Sequence, residues 1–134
     1  MFKGCSSLKN IEGLNNFDIS KVNNLDSTFT ESSSLEWLEG ISQWNIYNIK
    51  TIFETFYGWG SLSDFNALSN WDTSNLKEIV FTFVFIISLK SLKGISQWKI
   101  SNIINMYMTF YKCQTGILKM LKLYLVLFLI IGKL

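Results

Sequence analysis

The chain of 134 residues has no arginine, no histidine and no proline; its 12 basic residues are all lysine and stand against 10 acidic ones. The absence of histidine removes the commonest general base and the commonest metal ligand. Without arginine there is no bidentate reader of phosphate or guanine. A net charge of +2 is too weak for an electrostatic footprint on nucleic acid. Two cysteines cannot build a four-ligand zinc site alone. What is abundant is apolar: 49% of residues are hydrophobic and 16% aromatic, enough to form a core rather than a disordered coil. The length is that of one domain, or part of one.

That apolar content is laid out in a fixed step. Phe2, Phe29, Phe56, Phe83 and Phe110 are each 27 residues apart. Leu8, Leu35, Leu62 and Leu89 keep the same step, as do Ile11, Leu38, Phe65 and Leu92, then Leu14, Ile41, Leu68 and Ile95. An aromatic column follows in Phe17, Trp44, Trp71 and Trp98; Val22, Ile49, Leu76 and Ile103 form another, and Leu25, Ile52, Ile79 and Met106 close the unit. Polar and small columns hold as well: Ser7, Ser34, Ser61, Ser88 and Thr115; Thr28, Thr55, Thr82 and Thr109; Gly13, Gly40, Ala67 and Gly94. A unit this short cannot bury its apolar positions alone, so copies must stack like on like into one continuous core. The step is too short for paired-helix repeats and falls in the leucine-rich range of roughly 20 to 29 residues.

The expected fold is therefore a leucine-rich-repeat-like solenoid with one short parallel β-strand per 27-residue coil. Leu8-x-x-Ile11-x-x-Leu14 reads as the strand that opens each coil, with loops on the return and a short helical turn near Val22 to Phe29. Asn15-Asn16, Ser42-Gln43, Ser69-Asn70 and Ser96-Gln97 supply turn chemistry after it. Residues 1–115 hold four and a fraction copies. Residues 116–134 are out of phase, apolar and lysine-bearing: a C-terminal cap helix, a membrane-associating stub, or translation past a frameshift or truncation, the reading preferred. The longest apolar run there, Leu123 to Ile131, is well short of the roughly 20 residues a spanning helix needs, so no membrane span is expected.

Two motifs carry a family resemblance. Met1-Phe2-Lys3-Gly4-Cys5-Ser6-Ser7-Leu8 and Trp71-Asp72-Thr73-Ser74-Asn75-Leu76 resemble the two halves of the repeat in BspA-like leucine-rich-repeat surface proteins, in the branch found among mycoplasma-type surface lipoproteins. The resemblance covers about residues 1 to 115. It implies a cell-surface or extracellular repeat region serving adhesion or protein binding, with a protein partner or host surface molecule. It supplies no catalytic residue and no cofactor. The chain departs from the pattern where Val84-Phe85-Ile86-Ile87 replaces the Gly-Cys-Ser stretch. Together with Ile79 to Phe83 this makes a β-prone apolar run, an aggregation hazard if exposed.

Candidate sites are few. Cys5 and Cys113 share one column four steps apart. At about 4.8 Å per stacked layer their sulfurs lie on the order of 19 Å from each other, beyond the reach of a disulfide, so both are expected to be free and structural. The Phe and Trp columns read as core rather than as a stacking platform for sugars or bases. Asp18 and Asp72 share a column with Asn45 and Lys99 and read as turn residues bonding local backbone, not as a calcium ladder. Trp37 stands out because its row is otherwise Asn10, Asp64 and Ser91; Tyr47 stands among Ser20, Ser74 and Ser101. An exposed tryptophan beside Glu36 and Glu39 is a candidate partner anchor, and Tyr47 a second, since interface hot spots favour Trp and Tyr. The bland alternative for both is drift within a repeat. No nucleophile–base signature is present, so no enzyme, no small-molecule substrate and no nucleic-acid partner are expected. No basic n-region and apolar h-region precede Cys5, so neither a signal peptide nor a lipid-attachment site is expected in this chain. A fragment of a longer surface protein is the leading expectation; a degenerate or truncated gene product without independent function is the alternative.

Overall fold

A computed structural model describes residues 1–113, and the expectations for residues 116–134 lie outside them. Within 1–113 the repeats stack in register. The rings of Phe2, Phe29, Phe56, Phe83 and Phe110 form one pile, with centroids 5.2–6.2 Å apart and near-parallel planes. Leu35, Leu62 and Leu89 are buried in line, with Leu8 half-buried at one end. Most of the β-prone run is also inside: Ile79, Val80, Phe83, Val84 and Ile86 are buried.

The stack is not the strand-based leucine-rich-repeat solenoid that the sequence led us to expect. Among the described residues there is no β-strand and no sheet; the regular elements are four 3-10 helical turns. They are η1 (Glu12–Asn16), η2 (Glu39–Ile41), η3 (Asn66–Leu68) and η4 (Lys93–Ile95). The error lay in the spacing of Leu8, Ile11 and Leu14. A strand alternates its faces every second residue, so a step of three cannot keep one face inward. In a 3-10 turn residues three apart eclipse, and Leu14 N donates to Ile11 O at 2.9 Å, Ile41 N to Leu38 O at 2.9 Å. The helical turn thus sits where the strand was expected.

Strand-like pairing sits where the helical turn was expected. Asn24, Thr51, Glu78 and Asn105 form a chain of isolated parallel bridges. Beyond them, alternate amides reach the next copy: Ser27 N to Phe53 O at 2.8 Å, Glu31 N to Tyr57 O at 2.8 Å, Phe83 N to Thr109 O at 2.9 Å. The intervening amides turn back locally, as in Thr28 N to Leu25 O at 3.0 Å and Thr55 N to Ile52 O at 3.2 Å. Two rows of left-handed residues produce this alternation. Ser27, Glu54, Phe81 and Met108 have φ of 50–54°, and Gly4, Glu31, Gly58, Phe85 and Lys112 have φ of 55–78°. A left-handed residue every fourth position coils the arm into successive turns, and no extended run survives.

Side chains tie the copies together with a further periodic set. Thr55, Thr82 and Thr109 donate Oγ1 to the carbonyls of Leu25, Ile52 and Ile79 at 2.8–3.0 Å. Trp44, Trp71 and Trp98 donate Nε1 to Leu14, Ile41 and Leu68 at 3.0–3.1 Å. The threonine and tryptophan columns are therefore core that also satisfies buried carbonyls. Phe17, in the tryptophan column, has no N–H to donate and is 48% exposed.

Candidate functional site

The row that holds Trp37 has a structural task elsewhere. Asp64 Oδ1 accepts from Asn66 N at 2.9 Å and Ser91 Oγ from Lys93 N at 3.1 Å. Those bonds satisfy the first amides of η3 and η4, as short polar side chains do before a helical turn. Trp37 precedes η2 in the same way, has no acceptor to offer, and is 59% exposed. Its ring is a wall common to two shallow clefts. One, of about 210 Å³, is lined by Asn10, Ile11, Glu12, Trp37, Glu39 and Gly40. The other, of about 240 Å³, adds Glu36, Leu38, Leu62, Asp64, Asn66 and Ala67.

The glycine row explains the clefts' shape. A Cβ on Gly40 would overlap the Ile11 carbonyl, and one on Gly94 the Phe65 carbonyl. At these two steps backbone rests on backbone. Ala67 carries the extra methyl at the step between, and η2 and η3 pack less closely than η1 and η2 or η3 and η4. The larger cleft opens there.

Tyr47 is 52% exposed and lines neither cleft, so the two expected anchors are not brought together. Its backbone is fixed: Tyr47 N donates to Asn45 Oδ1 at 3.0 Å, and its carbonyl accepts from Asn75 Nδ2 at 2.8 Å. Asn48 and Asn102 make the same cross-copy bond to Ser20 O and Ser74 O. Asp18 and Asp72 are turn residues as expected, each accepting from the amide two residues on, Ser20 N at 2.9 Å and Ser74 N at 3.1 Å. Hydrogen bonds from Ser20 and Ser74 hold their carboxyls below the ordinary value. Lys99 adds an exposed ion pair to Asp72 at 3.5 Å.

Sequence reasoning missed a second aromatic surface. Phe53 and Phe81, Phe81 and Tyr107, Tyr57 and Phe85, and Phe85 and Tyr111 meet edge to face with centroids 5.5–6.3 Å apart. Tyr107, Met108 and Tyr111 are exposed on it, and Lys112 Nζ lies 5.2 Å from the Phe85 ring centre. The signal was present in the rows Asp26–Phe53–Val80–Tyr107 and Thr30–Tyr57–Val84–Tyr111, which turn apolar after the first copy. The column of Cys5 and Cys113 also holds Ser32, Trp59 and Ile86. There Ser32, Trp59 and Cys113 each donate to the carbonyl 30 residues back, at 2.7–2.8 Å. Both cysteines are free thiols; burial pushes the Cys113 thiol up to about 11, far from nucleophilic at neutral pH.

No group of three His, Cys, Asp or Glu among the described residues is placed to hold a metal ion. No helix among them is long and apolar enough to cross a membrane. No curated protein and no solved structure matches the chain. The profile of one family, described as "Mycoplasma protein of unknown function, DUF285", matches residues 1–116. With periodic motifs, stacked copies and a family profile all spanning the same stretch, the chain belongs to the DUF285 family of Mycoplasma proteins.

Proposed function

We propose that this chain is a non-enzymatic repeat scaffold, part of a surface protein related to the BspA-like proteins, which binds a protein partner or host surface molecule. One observation carries the reading: Trp37 stands exposed in a row where Asp64 and Ser91 help hold the turns, and it takes no such role and gains no burial. A large aromatic kept in water at the expense of a local hydrogen bond favours contact with something outside the chain. The interior rows hold the stack together, which leaves the outer rows free to vary toward a partner. Tyr47, with its backbone pinned by Asn45 and Asn75, is the second anchor.

The test is adhesion. Beads coated with the chain are expected to bind an animal-cell monolayer. The double variant Trp37→Ser, Tyr47→Ser, which restores serine chemistry found in both rows, is expected to lose that binding while keeping the melting temperature. Undiminished adhesion by a folded double variant overturns the reading.

A further inference from the structure

The two clefts beside Trp37 differ in charge from the rest of the molecule. The whole chain carries 12 lysines and a net charge of +2. Yet the cleft walls contribute Glu12, Glu36, Glu39 and Asp64, and no lysine. Trp37, 59% exposed, borders both clefts among these carboxylates. The face of tryptophan attracts cations through its quadrupole, and carboxylates attract the same cations as charge-assisted hydrogen-bond acceptors. Two independent features of the site thus select the same ligand charge. The carboxylates line two clefts on either side of the ring and do not converge: no set of three among the described residues is placed around one ion. That spread fits separated positive charges on one chain better than a single metal ion.

We infer that the paired clefts astride Trp37 take lysine or arginine side chains from a basic peptide segment of the partner. The inference rests on the binding-scaffold reading and specifies its partner chemistry. Trp37 supplies the flat wall, Glu39 borders both clefts, and Glu12 and Glu36 close one cleft each. The clefts are shallow, so the attraction is screened by salt.

The experiment is fluorescence anisotropy on the full chain with two labelled peptides, one alternating lysine and glycine, the other alternating glutamate and glycine. Saturable binding of the lysine peptide that weakens with added sodium chloride is expected, with none for the glutamate peptide. Trp37→Ser and Glu39→Gln are each expected to weaken it by roughly two- to fivefold, the scale of a cation–π contact at an exposed site. Ile104→Ser, at a residue 79% exposed and lining neither cleft, is the folded control and leaves affinity unchanged. Equal affinity for the two peptides overturns the inference, as does lysine-peptide binding indifferent to both cleft variants. Calcium chloride alone is the third titrant, and calcium binding that survives Trp37→Ser assigns the carboxylates to a metal and overturns it too. The outcomes are separable from adhesion: if Trp37→Ser abolishes bead binding while neither peptide binds, the cationic partner is wrong and the scaffold reading stands.

Discussion

At the scale of single residues, the left-handed rows offer the clearest energetic handle. Gly4 and Gly58 occupy one row with Glu31, Phe85 and Lys112, all at positive φ. An L side chain there crowds its own carbonyl, a cost of roughly 1–2 kcal/mol that glycine avoids, partly offset by glycine's greater freedom when unfolded. Glu31 is exposed, and Glu31→Gly is expected to gain about 0.5–1 kcal/mol and raise the melting temperature by a few degrees. A fall in melting temperature would show that the Glu31 side chain contributes more than its backbone costs. Asp18 and Asp72 set an acid dependence. Because both are depressed below 3.8 by bonds from Ser20 and Ser74, their contribution is present above the unfolded value and disappears as pH falls through the folded one. A melting-temperature series from pH 7 downward should drop at the acid end, and the double variant Asp18→Asn, Asp72→Asn should flatten that drop. Asn45 already makes the same turn without a charge, so the variant should fold. The thiols behave oppositely to each other: half-buried Cys5 should react with a disulfide reagent in the native state, and Cys113, buried and raised to about 11, only after denaturation.

Elements are where the sequence reading and the structure part. The step of 27, the interior columns and the turn role of Asp18 and Asp72 were legible because each depends only on residue type at a fixed interval. The identity of the element was not. Leu8, Ile11 and Leu14 were read as a strand because the step of 27 falls in the leucine-rich range, while their spacing of three already spoke for a 3-10 turn. The left-handed rows were hidden for another reason: only Gly4 and Gly58 announce them, while Ser27, Glu54 and Phe81 adopt the same backbone under constraint from neighbouring copies. Trp37 stood out because it broke a single polar row; the Phe81–Tyr107 surface did not, because its pairs join different rows and its signal is only the turn of two rows to apolar after the first copy. The turns also locate a sharp packing constraint. Gly94→Ala would drive a methyl into the Phe65 carbonyl; overpacking of this kind costs about 1–3 kcal/mol. Gly13 in the same row faces open space, so Gly13→Ala should change stability by no more than about 0.5 kcal/mol. Chemical denaturation of the two variants checks the contrast, and equal effects would mean that η4 does not rest on the Phe65 backbone.

Across the whole molecule, each copy is completed by its neighbours. Phe56 is fully buried, stacked between Phe29 at 6.2 Å and Phe83 at 5.6 Å and edged by Trp59 at 5.1 Å. Phe2 stacks on Phe29 alone and is only half-buried. The same side chain in the same row therefore carries unequal weight, set by how many copies flank it. In an array where each unit contacts only its neighbours, stability is a sum of unit and interface terms. A lesion in the middle removes two interfaces and one at the end removes one. Phe56→Ala should cost about 3–5 kcal/mol, the range for a fully buried phenylalanine, and lower protection across all copies because the stack loses its continuity. Phe2→Ala should cost less than half of that and leave the amides of Ile52, Phe56 and Phe83 as slow to exchange as before. Native-state hydrogen exchange on the two variants distinguishes this from a uniformly cooperative globule, in which either lesion would speed exchange of the slowest amides by an amount set only by its total cost. If Phe2→Ala accelerates exchange at Phe83 as much as at Phe29, nearest-neighbour coupling is the wrong description of how these copies hold one another in place.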